Sequence, residues 1–199
     1  MNFSDNPMYR PAQAGDQNQI VECIAQGFHH LTKHLSKDQN QIKQFLLDSL
    51  LFDYFYVIEL DSKVVGCCSV TPANLRPISI SVKSMRAIFG FIKGSIATNV
   101  LKALLEKPYQ FDAEDGYIEY VTILEDYRRL GLTTGLLTFI LHQNRYRHLM
   151  LDVTSDHKKA FELYQKLGFK EFKRVKQRFS KQAGFDYLSF MKVSLESRG

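Results

Sequence analysis

Cysteine is scarce in this chain. Cys23, Cys67 and Cys68 are the three present. The number is odd, no spacing among them suits a zinc site, and adjacent Cys67 and Cys68 fall on opposite faces of a β-rich run. A disulfide framework is therefore not expected, and a reducing cytoplasm is the expected compartment. No apolar run reaches the roughly 18 residues of a membrane-spanning helix. Residues 1 to 7 show neither the basic nor the apolar region of an export signal, so none is expected. Gly-x-Gly-x-x-Gly and Gly-x-x-x-x-Gly-Lys-Ser/Thr are both absent, which removes the common dinucleotide and nucleoside-triphosphate loops. Gly-x-Ser-x-Gly and any Cys/His nucleophile arrangement are absent too, so no covalent intermediate is indicated.

What is present is ordinary for a soluble globular protein: 45% apolar and 24% charged residues. The 199 residues are read as one domain, 1–199, large enough for a real core. A net charge of +5 and a pI near 9.0 suit an anionic ligand. Charge alone would also suit nucleic acid. The aromatics, however, follow the core pattern rather than interleaving with lysines, and no recognition motif appears, so no nucleic-acid partner is expected.

Tyr9 to Ala12 reads as a first strand. Gly15-Asp16 opens a helix with an apolar face of Ile20, Ile24, Ala25 and Phe28. Ser36 is a candidate N-cap for a second helix carrying Ile42, Phe45, Leu46, Ser49 and Leu50. Phe55 to Leu60 and Val64 to Thr71 form a hairpin around Asp61-Ser62-Lys63, stopped by Pro72. From Met85 to Leu105 the pattern turns helical, with Ile88, Ile92, Ile96, Val100 and Leu104 recurring every four residues. Gly90 and Gly94 permit a kink or close helix packing there. Thr134 to Arg145 continues a helix, Leu149 to Val153 is a strand, and Lys158 to Leu167 is a helix with Gly168 as its cap. Phe172 to Phe179 and Phe185 to Val193 form a last hairpin around Lys181 to Gly184. The order makes a mixed α/β (α+β) domain with an antiparallel-rich sheet.

The most informative stretch is 121–137. A β-branched strand enters a short acidic turn, then Arg128, Arg129, a glycine-punctuated bend and a helix opening on small residues. Such a helix end offers unpaired N–H groups and the positive end of its dipole to a phosphate or pyrophosphate. Arg128-x-x-Gly131-x-Thr133 resembles the acyl-CoA pyrophosphate loop of the GNAT N-acetyltransferase superfamily. Glu119, Val121 and Ile123 are spaced as in that superfamily's fourth strand. Farther on, Leu151-x-Val153 leads to Ala160, Leu163, Tyr164, Lys166, Leu167, Gly168 and Phe169, which looks like its second motif. The resemblance covers roughly residues 9–71 and 117–193. Residues 72–116 are a helical insertion between strands three and four, where most members have little. It is read as an extra helix or a helix pair over the core or a dimer surface, as a lid over the acceptor pocket, or as a membrane-surface element.

The resemblance implies an N-acetyltransferase that moves acetyl from acetyl-CoA to a primary amine by direct attack. The alternative is a non-catalytic acyl-CoA-binding or regulatory module on the same fold. Val121 and Ile123 would pair the pantetheine arm through their backbone, where strand four splays from strand five. Arg128, Arg129, Leu130, Gly131, Leu132, Thr133, Thr134 and Gly135 would hold the pyrophosphate. Thr133 replaces the usual Gly or Ala, so its hydroxyl either donates to phosphate or caps the helix. Tyr164 matches the tyrosine near the CoA sulfur and is protonated at neutral pH, suiting it as an acid. Glu119, read as two residues before Val121 on the same face, is the base candidate or a substrate-orienting or structural ion-pair partner. His157 stands where the family often has Asn; it either contacts the pantetheine or phosphate end or sits beside an Asp156 cap. His29, His30 and His34 border the expected acceptor region without a supporting metal pattern, so no metal is implied. The expected partners are a small-molecule or peptide amine and a possible homodimer, with no membrane.

Overall fold

The computed structural model describes residues 6–143, 145–177 and 184–195. The strands are β1 (Met8–Pro11), β2 (Phe55–Leu60), β3 (Lys63–Pro72), β4 (Gly116–Ile123), β5 (His148–Thr154), β6 (Lys170–Lys176) and β7 (Tyr187–Ser194). The helices are α1 (Gln17–Gly27), α2 (His29–Thr32), α3 (Gln39–Ser49), α4 (Val82–Phe89), α5 (Phe91–Leu101), α6 (Leu132–His142) and α7 (Lys158–Lys166). One sheet runs β1-β2-β3-β4-β5-β7-β6, antiparallel throughout except where β4 meets β5. The expected mixed, mostly antiparallel architecture is the one observed.

Alternation along the strands divides the core between the two faces of the sheet. Phe55, Val57, Val64 and Cys67 pack with Ile20, Ile24, Ile42 and Phe45 of α1 and α3. Tyr56, Ile58, Val65 and Cys68 pack with Leu136, Leu137 and Ile140 of α6 and Tyr164 of α7. Cys67 and Cys68 thus do point to opposite faces, and all three thiols are buried and unpaired. Arg10 ties the start of the chain together, donating to Asp16 at 2.6 Å and bridging to Glu59 at 2.6 Å. Its guanidinium holds the Asp16 carboxyl below the usual carboxylate range.

Local chemistry explains where the elements begin and end. The β2–β3 turn contains only Asp61 and Ser62, with φ of 49° and 60°, so Lys63 belongs to β3 and the hairpin is of the type I′ class. Ser36 does not cap α3. Asp38 does, accepting from the Asn40 N–H at 2.9 Å, while the Ser36 hydroxyl accepts from the Asp38 N–H at 3.1 Å and donates to Gln41. α7 closes on Gly168 at φ 92°, with Phe169 N–H bonded to the Tyr164 carbonyl and Gly168 N–H to that of Gln165. This is the Schellman pattern. Of the turn expected at Lys181 to Gly184, residues 181–183 lie outside the described residues, and Gly184 takes φ 82°.

The insertion is two helices rather than one. Gly90, at φ 83°, ends α4 and opens α5, and a π-type turn at Lys102–Glu106 finishes the segment. Met85 and Phe89 of α4 join the core, with Ala97, Leu101 and Leu105 packed against it. Glu106 accepts from the Ile80 N–H and pins the far end of the insertion. α5 lies against α4 at Gly94, where an added Cβ would meet the Met85 carbonyl oxygen at 2.4 Å. Backbone has to move for any larger residue. Gly94→Ala is therefore expected to lower stability by about 1–3 kcal/mol. It should appear as a reduced urea midpoint at unchanged slope; an unchanged midpoint would contradict the close packing.

Candidate active site

β4 and β5 are held together at Gly116 opposite Leu149 and Tyr117 opposite Met150 only. Beyond that point β5 continues in register with β7 as far as Thr154, while β4 stays with β3. The two parallel strands diverge, and from Ile118 to Ile123 the β4 edge facing β5 pairs with no described strand. A bulge explains the divergence. Cys67 opposes Thr122 and Ser69 opposes Glu119, so Cys68 faces both Tyr120 and Val121. Tyr120 takes φ 54°, and such an extra residue bends and twists its strand. α1 fixes the bent end. An added Cβ on Gly27 would strike Thr122 Oγ1 at 2.0 Å, and Gln26 accepts from the Glu125 N–H at 2.9 Å.

The chain then passes from β4 to α6. A 3-10 turn at Glu125–Tyr127 delivers Arg128 in extended conformation, followed by Arg129 at φ 65° and Gly131 at φ 76°. Gly131 is the N-cap, no side chain caps the helix, and its first turn carries no acidic residue. The first intrahelical bond at this end runs from the Gly135 N–H to the Gly131 carbonyl. The N–H groups of Leu132, Thr133 and Thr134 therefore have no helical acceptor. The capping reading of Thr133 is corrected: it sits second in the helix, half-buried, and makes no cap bond. Arg128, Arg129, Leu130 and Gly131 are exposed beside this helix end, with Arg128 Nε 3.4 Å from the Ile123 carbonyl oxygen. Gly135 has a packing reason of its own, because a Cβ there would collide with the Tyr9 hydroxyl at 1.9 Å.

Tyr164 lies on α7 in the same buried cluster as Cys68, Ile118, Ile123 and Leu132, with Val121 packed against it. Burial raises its pKa, so its phenol is held protonated. Among the described residues its hydroxyl has no hydrogen-bond partner. His157 occupies the N-cap position of α7, exposed, with Nδ1 3.0 Å from Thr154 Oγ1. Asp156 is not the cap.

Glu119 departs from expectation. The bulge breaks the alternation, so Glu119 and Val121 do not share a face: Val121 packs with the α6–α7 side and Tyr120 with the α1–α3 side. The Glu119 carboxylate instead meets Arg76, which donates from Nη2 at 2.5 Å and from Nε at 3.0 Å; both side chains are only 10% exposed. Arg76 comes from the insertion and stacks on Tyr109, 4.8 Å from the ring centre. Asp152 of β5 lies in the same cluster. It accepts from the Tyr117 hydroxyl at 2.6 Å and the Tyr109 hydroxyl at 3.4 Å. Burial raises both carboxyls, offset at Glu119 by Arg76 and at Asp152 by the Tyr117 hydrogen bond. Sequence reasoning missed Arg76, Tyr109, Tyr117 and Asp152. A charged residue inside Leu149-Met150-Leu151-Asp152-Val153 was the one signal available, since core strands rarely carry an unpartnered carboxylate.

The site therefore gathers an open strand edge, an uncapped helix N-terminus with two arginines, a protonated tyrosine and a buried carboxylate pair. A model of the Acetyltransferase (GNAT) family matches residues 24–169. No curated protein matches the chain. Among solved structures, an N-acetyltransferase from Staphylococcus aureus Mu50 superimposes with TM-score 0.63 at 20% identity, covering 94% of this chain and 100% of that one. A GNAT family acetyltransferase from Elizabethkingia anophelis with acetyl-CoA bound gives TM-score 0.55 at 16% identity, covering 96% and 100%. The ribosomal-protein-S18-alanine N-acetyltransferase from Escherichia coli gives 0.58 at 11%, covering 98% and 97%. At these identities the likeness is one of fold. The family model spans most of the chain, and the chain belongs to the GNAT acetyltransferase family.

Proposed function

We propose that this protein is an N-acetyltransferase that moves an acetyl group from acetyl-CoA to a primary amine, on a small molecule or a peptide, by direct attack. The observation that carries the reading is the unpaired β4 edge beside the uncapped N-terminus of α6. Bound acetyl-CoA supplies an activated thioester. In this reading the N–H groups of Leu132 to Thr134, with Arg128 and Arg129, hold the pyrophosphate, where the helix dipole and fixed positive charge act together. The Thr133 hydroxyl donates to the same group, and Leu130, Gly131 and Gly135 shape the loop. The backbone of Val121 and Ile123 pairs the pantetheine arm, and β4 N–H groups polarise the carbonyl. His157 stands at the pantetheine or phosphate end. Tyr164 gives its proton to the departing sulfur, and Glu119 takes one from the amine. Three buried, unpaired thiols suit a cytoplasmic place for the reaction.

One observation favours a second reading. Arg76 engages both oxygens of Glu119, as a structural ion pair would. On that reading the chain binds acyl-CoA without turnover and serves as a regulatory module. Saturating acetyl-CoA is expected to raise the melting temperature while NAD and ATP do not, and an amine panel should consume thioester. Stabilisation without consumption for any amine selects the second reading. No stabilisation contradicts both.

Tyr164→Phe is expected to lower kcat by about a hundredfold or more, with little change in acetyl-CoA affinity, as measured by steady-state kinetics. Unchanged kcat would remove Tyr164 from the proton path. For Glu119 the sign follows from its environment. A base works deprotonated, and burial raises this carboxyl. kcat/KM should therefore fall as pH drops through a value above the ordinary carboxylate range, and Glu119→Gln should lose that acidic limb. An identical limb in the variant would assign it to another group.

A further inference from the structure

α5 is apolar on both of its faces. Gly94, Ala97, Thr98 and Leu101 turn inward, and the Thr98 hydroxyl is spent on the Gly94 carbonyl of its own helix at 2.7 Å. On the opposite face Ile92, Ile96 and Val100 recur every four residues and continue into Leu104, with Phe91 at the edge. These five are between 53% and 73% exposed. A helix apolar all round is normally covered on both sides, and a contiguous exposed apolar strip marks an interaction surface.

The charge around the strip indicates what covers it. From Val82 to Glu106 there are four basic residues, Lys83, Arg86, Lys93 and Lys102, and one carboxylate, Glu106, which pairs with Lys102 at 3.6 Å and leaves the other three cations without a carboxylate in this segment. All four are exposed. Arg86 lies over the exposed Phe91 ring at 4.3 Å, so a cation flanks the edge of the strip, while Lys93, next to Ile92 in sequence, lies 5.4 Å from the ring of the core residue Phe89. A two-fold pairing of this face with a second copy would set these cations against themselves. The strip is also the outer ridge of one helix, about 16 Å long at 1.5 Å per residue, and a ridge is convex. A bilayer interface accepts such a ridge lying in its plane, with apolar side chains in the acyl boundary and basic side chains reaching the headgroups.

We infer that the outer face of α5, with its basic flanks, docks on an anionic membrane surface. No helix among the described residues is long and apolar enough to cross a membrane. Lying on one needs no such helix, so this departs from the expectation of no membrane partner. The inference stands apart from the acetyl-transfer reading, since it uses none of the residues of the β4–β5 site.

The test is flotation of the full chain with phosphatidylcholine vesicles, with and without phosphatidylglycerol. The protein should float with the anionic vesicles and not with phosphatidylcholine alone, and added salt should release it. Lys93→Gln should weaken binding to the anionic vesicles about fivefold. Ile96→Asp should abolish it while leaving the melting temperature and the acetyl-CoA response as in wild type. Failure to float with either vesicle, or equal flotation with both, overturns the inference. So does sedimentation velocity showing a wild-type dimer that Ile96→Asp splits, which would make the strip a face between copies.

Discussion

The divergence of β4 from β5 is the constraint on which the rest of the site depends. Gly116 and Tyr117 hold the strands together, and past them the bulge at Tyr120 turns β4 away. A sheet interior normally leaves no backbone donor unpaired, because each buried one carries a desolvation cost. An open edge in the middle of a seven-stranded sheet is therefore a place for another molecule's polar groups. α6 adds its uncapped end to the same place, and α1 keeps the bent strand from relaxing through Gly27, Thr122 and Gln26.

The insertion changes the chemistry on the other side of β4. It contributes Arg76 and Tyr109, which close over Glu119 and Asp152 and leave each carboxylate with partners. Two carboxylates so placed would raise one another further if left alone. Arg76 supplies the compensating charge and occupies both oxygens of Glu119. Any ligand that reaches Glu119 meets a carboxylate already shared with a guanidinium.

Much of this was legible in the sequence, for identifiable reasons. Strand alternation and four-residue recurrence depend on local pattern, so β2, β3, α1, α3, α5 and α7 fall near their expected positions. The Arg128-x-x-Gly131 loop could be read because its conformation is carried by a glycine at positive φ and by charge close in sequence. The assignments of Val121, Tyr164 and His157 came from resemblance, not from pattern. The bulge was not legible. It is set by the register of β4 against β3, and nothing in Glu119-Tyr120-Val121 announces an extra residue. Ser36 and Asp38 are both good caps, and only the fold of the preceding turn chooses between them. The Arg76–Glu119 and Tyr109–Asp152 contacts each span 43 residues, beyond any periodicity argument.

The central claim is that the open β4 edge and the α6 N-terminus together receive one CoA thioester. The most direct measurement is an NMR titration of the labelled protein with acetyl-CoA, following backbone amides. The account predicts that amides of Val121 to Ile123 and of Leu132 to Thr134 move together and saturate at one concentration, while those of β1 and β2 stay still. Saturating shifts confined to other parts of the molecule, with β4 and the first turn of α6 unmoved, would contradict it.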